Sequence, residues 1–144
     1  MATMTSLTPA YPALVCAECG GADIVCVTGD AIYPHRPNLH ARWYWRCACG
    51  AYVGCHRDTQ EPLGTPAGPT TRRARSQAHA AFDALWRRKM ARDGVSQQVA
   101  RQAGYDWLAR GMGLDPADAH IGRFTAEQCA AVVALCQPYS RAVR

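Results

Sequence analysis

Nowhere in this sequence is there an apolar run long enough to cross a bilayer, and residues 1–13 lack both the basic start and the apolar core of an export signal. No membrane role is expected, and the cysteines are expected to stay reduced in a soluble, cytoplasmic protein rather than pair as disulfides. Lysine is almost missing: fifteen of the sixteen basic residues are arginine. That bias suits bidentate contacts to phosphate or carboxylate, although a GC-rich genome produces the same excess. Acidic residues are scarce where the cations gather. Between Arg72 and Arg92 seven cations (Arg72, Arg73, Arg75, Arg87, Arg88, Lys89, Arg92) stand against Asp83 alone, so the formal charge of +5 is concentrated there and the rest is close to neutral.

What is abundant is cysteine, eight in 144 residues. Four fall in two tight pairs, Cys16-Ala17-Glu18-Cys19 and Cys47-Ala48-Cys49, each followed at once by a glycine, Gly20 and Gly50. Thiolates two or three positions apart reach one tetrahedral ion from a single turn, and a left-handed glycine aims amide N–H groups at the sulfurs. Two such knuckles complete a four-cysteine shell for one zinc ion, with no coordination position left open for chemistry. Another thiophilic metal would satisfy the same donors. A structural centre is expected, not a hydrolytic one.

Around these pairs the β-prone runs Ile24–Val27, Arg42–Arg46 and Ala51–Gly54 predict a three-stranded zinc ribbon whose long hairpin tip is stiffened by Pro34 and Pro37. So small a sheet needs the metal to hold together. The expected organisation is a flexible N-terminus at 1–13, the ribbon at 14–57, a Pro/Gly-rich connector or ordered recognition loop at 58–71, and a helical part at 72–144. In the helical part, Thr70 or Thr71 caps a helix running to about Arg92, with Ala74, Ala78, Ala81, Phe82 and Leu85 on its apolar stripe. Ser96 caps a second helix to about Arg110 that carries Val99, Ala103, Trp107 and Leu108. Asp115-Pro116 starts a short helical turn. Phe124, Thr125 and Gln128 form a hydrophobic staple and capping box for a last helix, about Ala126 to Cys136, stopped by Pro138. The predicted class is α+β, a ribbon packed against three or four helices.

The remaining cysteines divide by pattern. Cys129, Val132, Val133 and Cys136 share one helical face and read as core. Cys26, in a β-prone run, reads as a buried small hydrophobe. Cys55, beside His56, is open between replacing a knuckle cysteine and joining a second site. Arg75, His79, Asp83 and Arg87 are spaced by four and form one helical ridge, read first as an ion-pair ladder in which Asp83 orients His79. The alternative is an acid–base edge joined by His56 and His120, a hydrolase or nuclease-like site. His35 and His40 read as solvated tip residues. The tip also interleaves Tyr33, Arg36, His40, Arg42, Trp43, Tyr44, Trp45 and Arg46, the cation–aromatic mixture that holds phosphates and stacks on bases, or else simply the ribbon's own core.

Together these motifs resemble a phage- and prophage-associated zinc-finger-containing family of unknown function. The resemblance runs from about Leu14 to Cys136 through Cys-Ala-Glu-Cys-Gly-Gly, Trp-Arg-Cys-Ala-Cys-Gly-Ala-Tyr-Val-Gly-Cys-His, Pro-Leu-Gly-Thr-Pro-Ala, Phe-Asp-Ala-Leu-Trp and His-Ile-Gly-Arg-Phe. It implies a zinc module fused to a helical part, with Cys16, Cys19, Cys47 and Cys49 as metal ligands. His56, Arg72, Arg75, His79, Asp83 and His120 occupy its other motif positions. Ala119 stands where the family often has cysteine, which speaks against an indispensable ligand there. The function expected first is nucleic-acid or transcription-machinery binding, with Arg72, Arg73, Arg75, Arg87 and Arg88 on phosphates and Arg42, Trp43 and Trp45 stacking or packing nearby. A phage accessory protein that redirects a host protein is the second expectation, and no catalysis is favoured.

Overall fold

The computed structural model describes residues 14–141, and the expected flexible segment at 1–13 falls outside them. The chain divides into two compact units that meet at Thr71 and Arg72.

In the first unit, β-branched and aromatic residues build three strands, β1 (Ile24–Thr28), β2 (Trp43–Cys47) and β3 (Tyr52–Gly54). They form one antiparallel sheet in the order β1-β2-β3, with Cys26 opposite Trp45 and Trp45 opposite Val53. The long tip between β1 and β2 contains two short helical turns, Gly29–Ala31 and Pro37–Leu39. An edge-to-face trio of Tyr33, Tyr44 and Tyr52, with ring centres 5.8 to 6.0 Å apart, fastens the tip to the sheet. The Tyr33 and Tyr52 hydroxyls hydrogen-bond to each other. The Pro/Gly-rich segment is ordered on the ribbon. Tyr52 and Ala67 exchange both backbone hydrogen bonds, the Leu63 N–H donates to the Gly54 carbonyl, and the Ala17 N–H donates to that of Pro66. This segment covers the outer edge of β3, which would otherwise present unpaired backbone groups. Its sequence forbids a regular strand because each proline lacks a donor.

The second unit holds α1 (Pro69–Asp93), α2 (Gln97–Met112) and α3 (Ala126–Arg141), with two short helical turns, Pro116–Asp118 and Ile121–Arg123, before α3. Its core joins Ala78, Phe82 and Trp86 of α1 to Ala100 and Leu108 of α2, Ile121 and Phe124, and Cys129, Val132 and Cys136 of α3. Ser96 caps α2 by accepting from the Val99 N–H. At α3 the capping box is complete: Thr125 Oγ1 accepts from the Gln128 N–H, and Gln128 Oε1 accepts from the Thr125 N–H.

Four expectations change. The α1 helix begins at Pro69, before either threonine, because proline's missing N–H is no loss in a first turn. Trp86 joins the core in addition to the expected stripe, whose Leu85 packs against that core partly buried. Val99 is 53 % exposed, outside the apolar face of α2. Pro138 does not stop α3, which continues to Arg141. Pro138 removes one hydrogen bond in the final turn, and beyond it Arg88 Nη2 donates to the Tyr139 carbonyl at 3.0 Å.

Candidate metal centre

The first knuckle is a tight turn closed by the Gly20 N–H on the Cys16 carbonyl and by the Cys16 N–H on the Gly21 carbonyl. The second lies at the end of β2, where the Cys47 N–H donates to the Ala51 carbonyl and the Gly50 N–H to that of Cys47. Gly20 and Gly50 have φ of 73° and 103°. A Cβ on either would meet nothing within 4 Å, so the requirement is for left-handed backbone and not for space.

These turns bring Cys16, Cys19, Cys47 and Cys49 together, all four sulfurs within 4.8 Å of one another. Cys16 Sγ lies 3.6 Å from Cys49 Sγ, and Cys19 Sγ 3.5 Å from Cys47 Sγ. Four ligands at about 2.3 Å from a tetrahedral ion are about 3.8 Å apart, so the four sulfurs fit one structural zinc ion. Backbone donors favour thiolate: the Glu18 N–H points to Cys16 Sγ at 3.4 Å and the Gly21 N–H to Cys19 Sγ at 3.3 Å. At Cys16, burial opposes ionisation, yet the N–H groups of Cys19 and Glu18 outweigh it and hold the thiol below its ordinary value. At Cys47 the Cys49 N–H favours thiolate, but burial and the neighbouring thiols push it up to about 12. Four sulfurs this close cannot all carry charge unless a cation sits among them, which is the role zinc supplies. Cys16 and Cys47 are each 2 % exposed and form a small apolar cluster with Ala51 and Ile24.

Among the described residues this is the one group of three or more His, Cys, Asp or Glu side chains that could share a metal ion. Cys55 and His56 gather no second site. Burial pushes the Cys55 thiol up to about 12 and that of Cys26 to about 11, which disfavours the reactive thiolate at both. Cys129 and Cys136 are buried in the helical core, as their spacing implies.

The helical ridge is assembled differently from the expected ladder. His79 Nδ1 lies 3.1 Å from the Arg75 carbonyl, while Asp83 accepts from Trp86 Nε1 at 2.8 Å and lies 4.0 Å from Arg87. Asp83 therefore orients an indole and not the imidazole. His120 packs its ring against Tyr105, and burial, followed by Arg123 and Arg101, lowers its pKa. His56 belongs to the first unit, His79 and His120 to the second.

The expected phosphate contacts also divide. Arg75 is 7 % exposed, and its Nε donates to the Phe124 carbonyl at 2.9 Å, so it is an internal strut and not a surface cation. Arg73 and Arg87 are exposed, and Arg72 and Arg88 are half-buried. Trp45, 2 % exposed, donates Nε1 to the Gln60 carbonyl at 2.7 Å and packs inside the ribbon, whereas Arg42 is exposed and Trp43 half-buried.

Two clefts were not legible beforehand. One, of about 560 Å3, lies on the ribbon and brings Arg42 and Trp43 beside Asn38, His56, Arg57 and Asp58. The other, of about 350 Å3, lies within the helical unit and gathers Arg88, Lys89 and Arg92 of α1 with Arg110 and Trp107 of α2. The Arg57-Asp58 turn beside His56 was the available signal for the first. The second depends on two helices meeting, which no local pattern records.

A family model described as a zinc-finger-containing domain matches residues 13–139. No curated protein and no solved structure matches the chain.

Proposed function

The chain belongs to this family of zinc-finger-containing domains, and from that premise we propose that it binds nucleic acid, with zinc as a scaffold. The observation that carries this reading is the cleft of the helical unit. Arg88, Lys89, Arg92 and Arg110 line it together with the partly exposed Trp107, and cations beside an aromatic ring suit a phosphate backbone and its bases. Asp93 is the acid beside them, paired with Lys89 at 2.9 Å and with Arg92 at 2.9 Å. These are exposed pairs, weak enough to be exchanged for phosphate. Arg73 and Arg87 are exposed on α1 but lie outside the lining of this cleft.

A hydrolase built on His56, His79 and His120 draws less support. His79 is engaged by its own helix, with Nδ1 3.1 Å from the Arg75 carbonyl, and Asp83 serves Trp86 instead of the imidazole. A phage protein that redirects a host protein has no feature of comparable specificity. Titration of the zinc-loaded chain with labelled RNA and DNA at two salt concentrations tests the proposal. Binding should weaken as salt rises, because phosphate contacts release counterions. Absence of binding at low salt would sink it.

A further inference from the structure

We infer that the cleft on the ribbon seats an unpaired nucleotide, so that the protein takes single-stranded rather than duplex nucleic acid; this rests on the nucleic-acid reading above. Its volume, about 560 Å3, is in the range that encloses a small-molecule ligand such as one nucleotide. Of the three consecutive aromatics of β2, Tyr44 and Trp45 are buried in the ribbon and only Trp43 is left partly open, at the cleft. A base can stack on such an indole only when it has left its own helix, and stacking of this kind tolerates any sequence.

Cations reach the cleft from two separate segments. Arg42 precedes β2, and Arg57 follows β3; both are exposed, and among the described residues neither takes part in an ion pair. Asp58 is the one carboxylate in the lining, outnumbered by the two guanidiniums, and His56 adds a further polar edge. The segment that carries these residues is fixed in advance. The His56 N–H donates to the Glu61 carbonyl, while the Thr59 N–H and hydroxyl both donate to the His56 carbonyl. Asp58, with φ of 60°, is the one described residue other than glycine in left-handed backbone. Strain of this kind is retained where the surrounding structure enforces it, commonly at binding sites.

The experiment compares a labelled eight-nucleotide single strand with a hairpin duplex, using zinc-loaded full-length chain, its Arg57→Gln variant and its Trp43→Leu variant. The single strand should bind at least about tenfold tighter than the duplex. Trp43→Leu should weaken it by about 5- to 100-fold. Arg57→Gln, an exposed loop change that leaves the fold alone, should lower the slope of log K against log salt by about 0.7. Zinc content confirms that each variant is folded. If the chain binds nucleic acid but both variants match the parent, or if duplex binds as well as single strand, the cleft is not the seat and the helical unit retains the nucleic-acid reading. If neither oligonucleotide binds at low salt, both proposals fail together.

Discussion

Arg75 and Arg73 are two residues apart on one helix, yet one guanidinium holds the Phe124 carbonyl inside the helical unit and the other is in solvent. Charge alone does not separate them. The helical period does, because position 75 falls on the line of Thr71, Ala78 and Phe82, all buried. Arg75→Ala should therefore lower the unfolding free energy by about 1.5–3 kcal/mol in denaturant titration, the range for a hydrogen bond made by a charged group. Oligonucleotide affinity should stay unchanged. A fold-neutral Arg75→Ala that lost affinity would restore the phosphate role. The cysteines separate by the same kind of reasoning. Ionisation makes a thiol reactive, and burial pushes Cys136 up to about 11 and also raises Cys129, so both remain protonated thiols at neutral pH. Iodoacetamide at pH 7.5, followed by mass spectrometry, should label none of the zinc ligands in the loaded protein. After chelation it should label Cys16, Cys19, Cys47 and Cys49, while Cys129 and Cys136 stay protected. Equal labelling with and without chelator would contradict a four-cysteine centre.

At the level of elements, the starts of α2 and α3 and the ends of α1 at Asp93 and of α2 near Gly113 were readable, whereas the start of α1 and the end of α3 were not. A start is specified by side chains a few residues apart, as at Thr125 and Gln128, whose two reciprocal hydrogen bonds close the box at 3.2 and 3.0 Å. Thr125→Ala should cost about 1 kcal/mol, read as a fall in the denaturation midpoint with no change in zinc content. No change in the midpoint would mean that Phe124 and Cys129, buried on either side of the cap, fix α3 without it. The end of α3 is less local: the helix runs three residues past Pro138, and in its last turn Arg88, some fifty residues earlier, donates to the Tyr139 carbonyl. The Pro/Gly-rich segment follows the same logic. Its composition excluded helix and strand, but only pairing with Tyr52 and Gly54 made it part of the ribbon.

For the molecule as a whole, the zinc ion and the helical core are two separate sources of stability. Two of the ribbon's buried residues, Cys16 and Cys47, are themselves metal ligands, and with Ala51, Tyr44, Trp45 and Ala67 they make a small core for three short strands. The helical unit has a ten-residue buried core of its own. Chelation, or Cys16→Ser, should abolish the ribbon's β signal and the fixed environment of Trp45, seen by near-ultraviolet circular dichroism. Acidification should act in the same direction, because protons compete with zinc for thiolate. A ribbon that kept its structure without zinc would refute the scaffold role.

The sequence by itself determined the tetrathiolate centre, the three strands, the starts of α2 and α3 and the core placement of Cys129 and Cys136. Each of these is a local matter, written in spacing that a single turn or one helical face can satisfy. Only the tertiary structure decided which cations face solvent, that Asp83 serves Trp86 and not His79, and that Arg42 and Arg57 share a cleft with Trp43. Those outcomes depend on residues distant in the chain competing for the same hydrogen bonds and the same buried space. That competition is settled by packing, on which spacing within one segment carries no information.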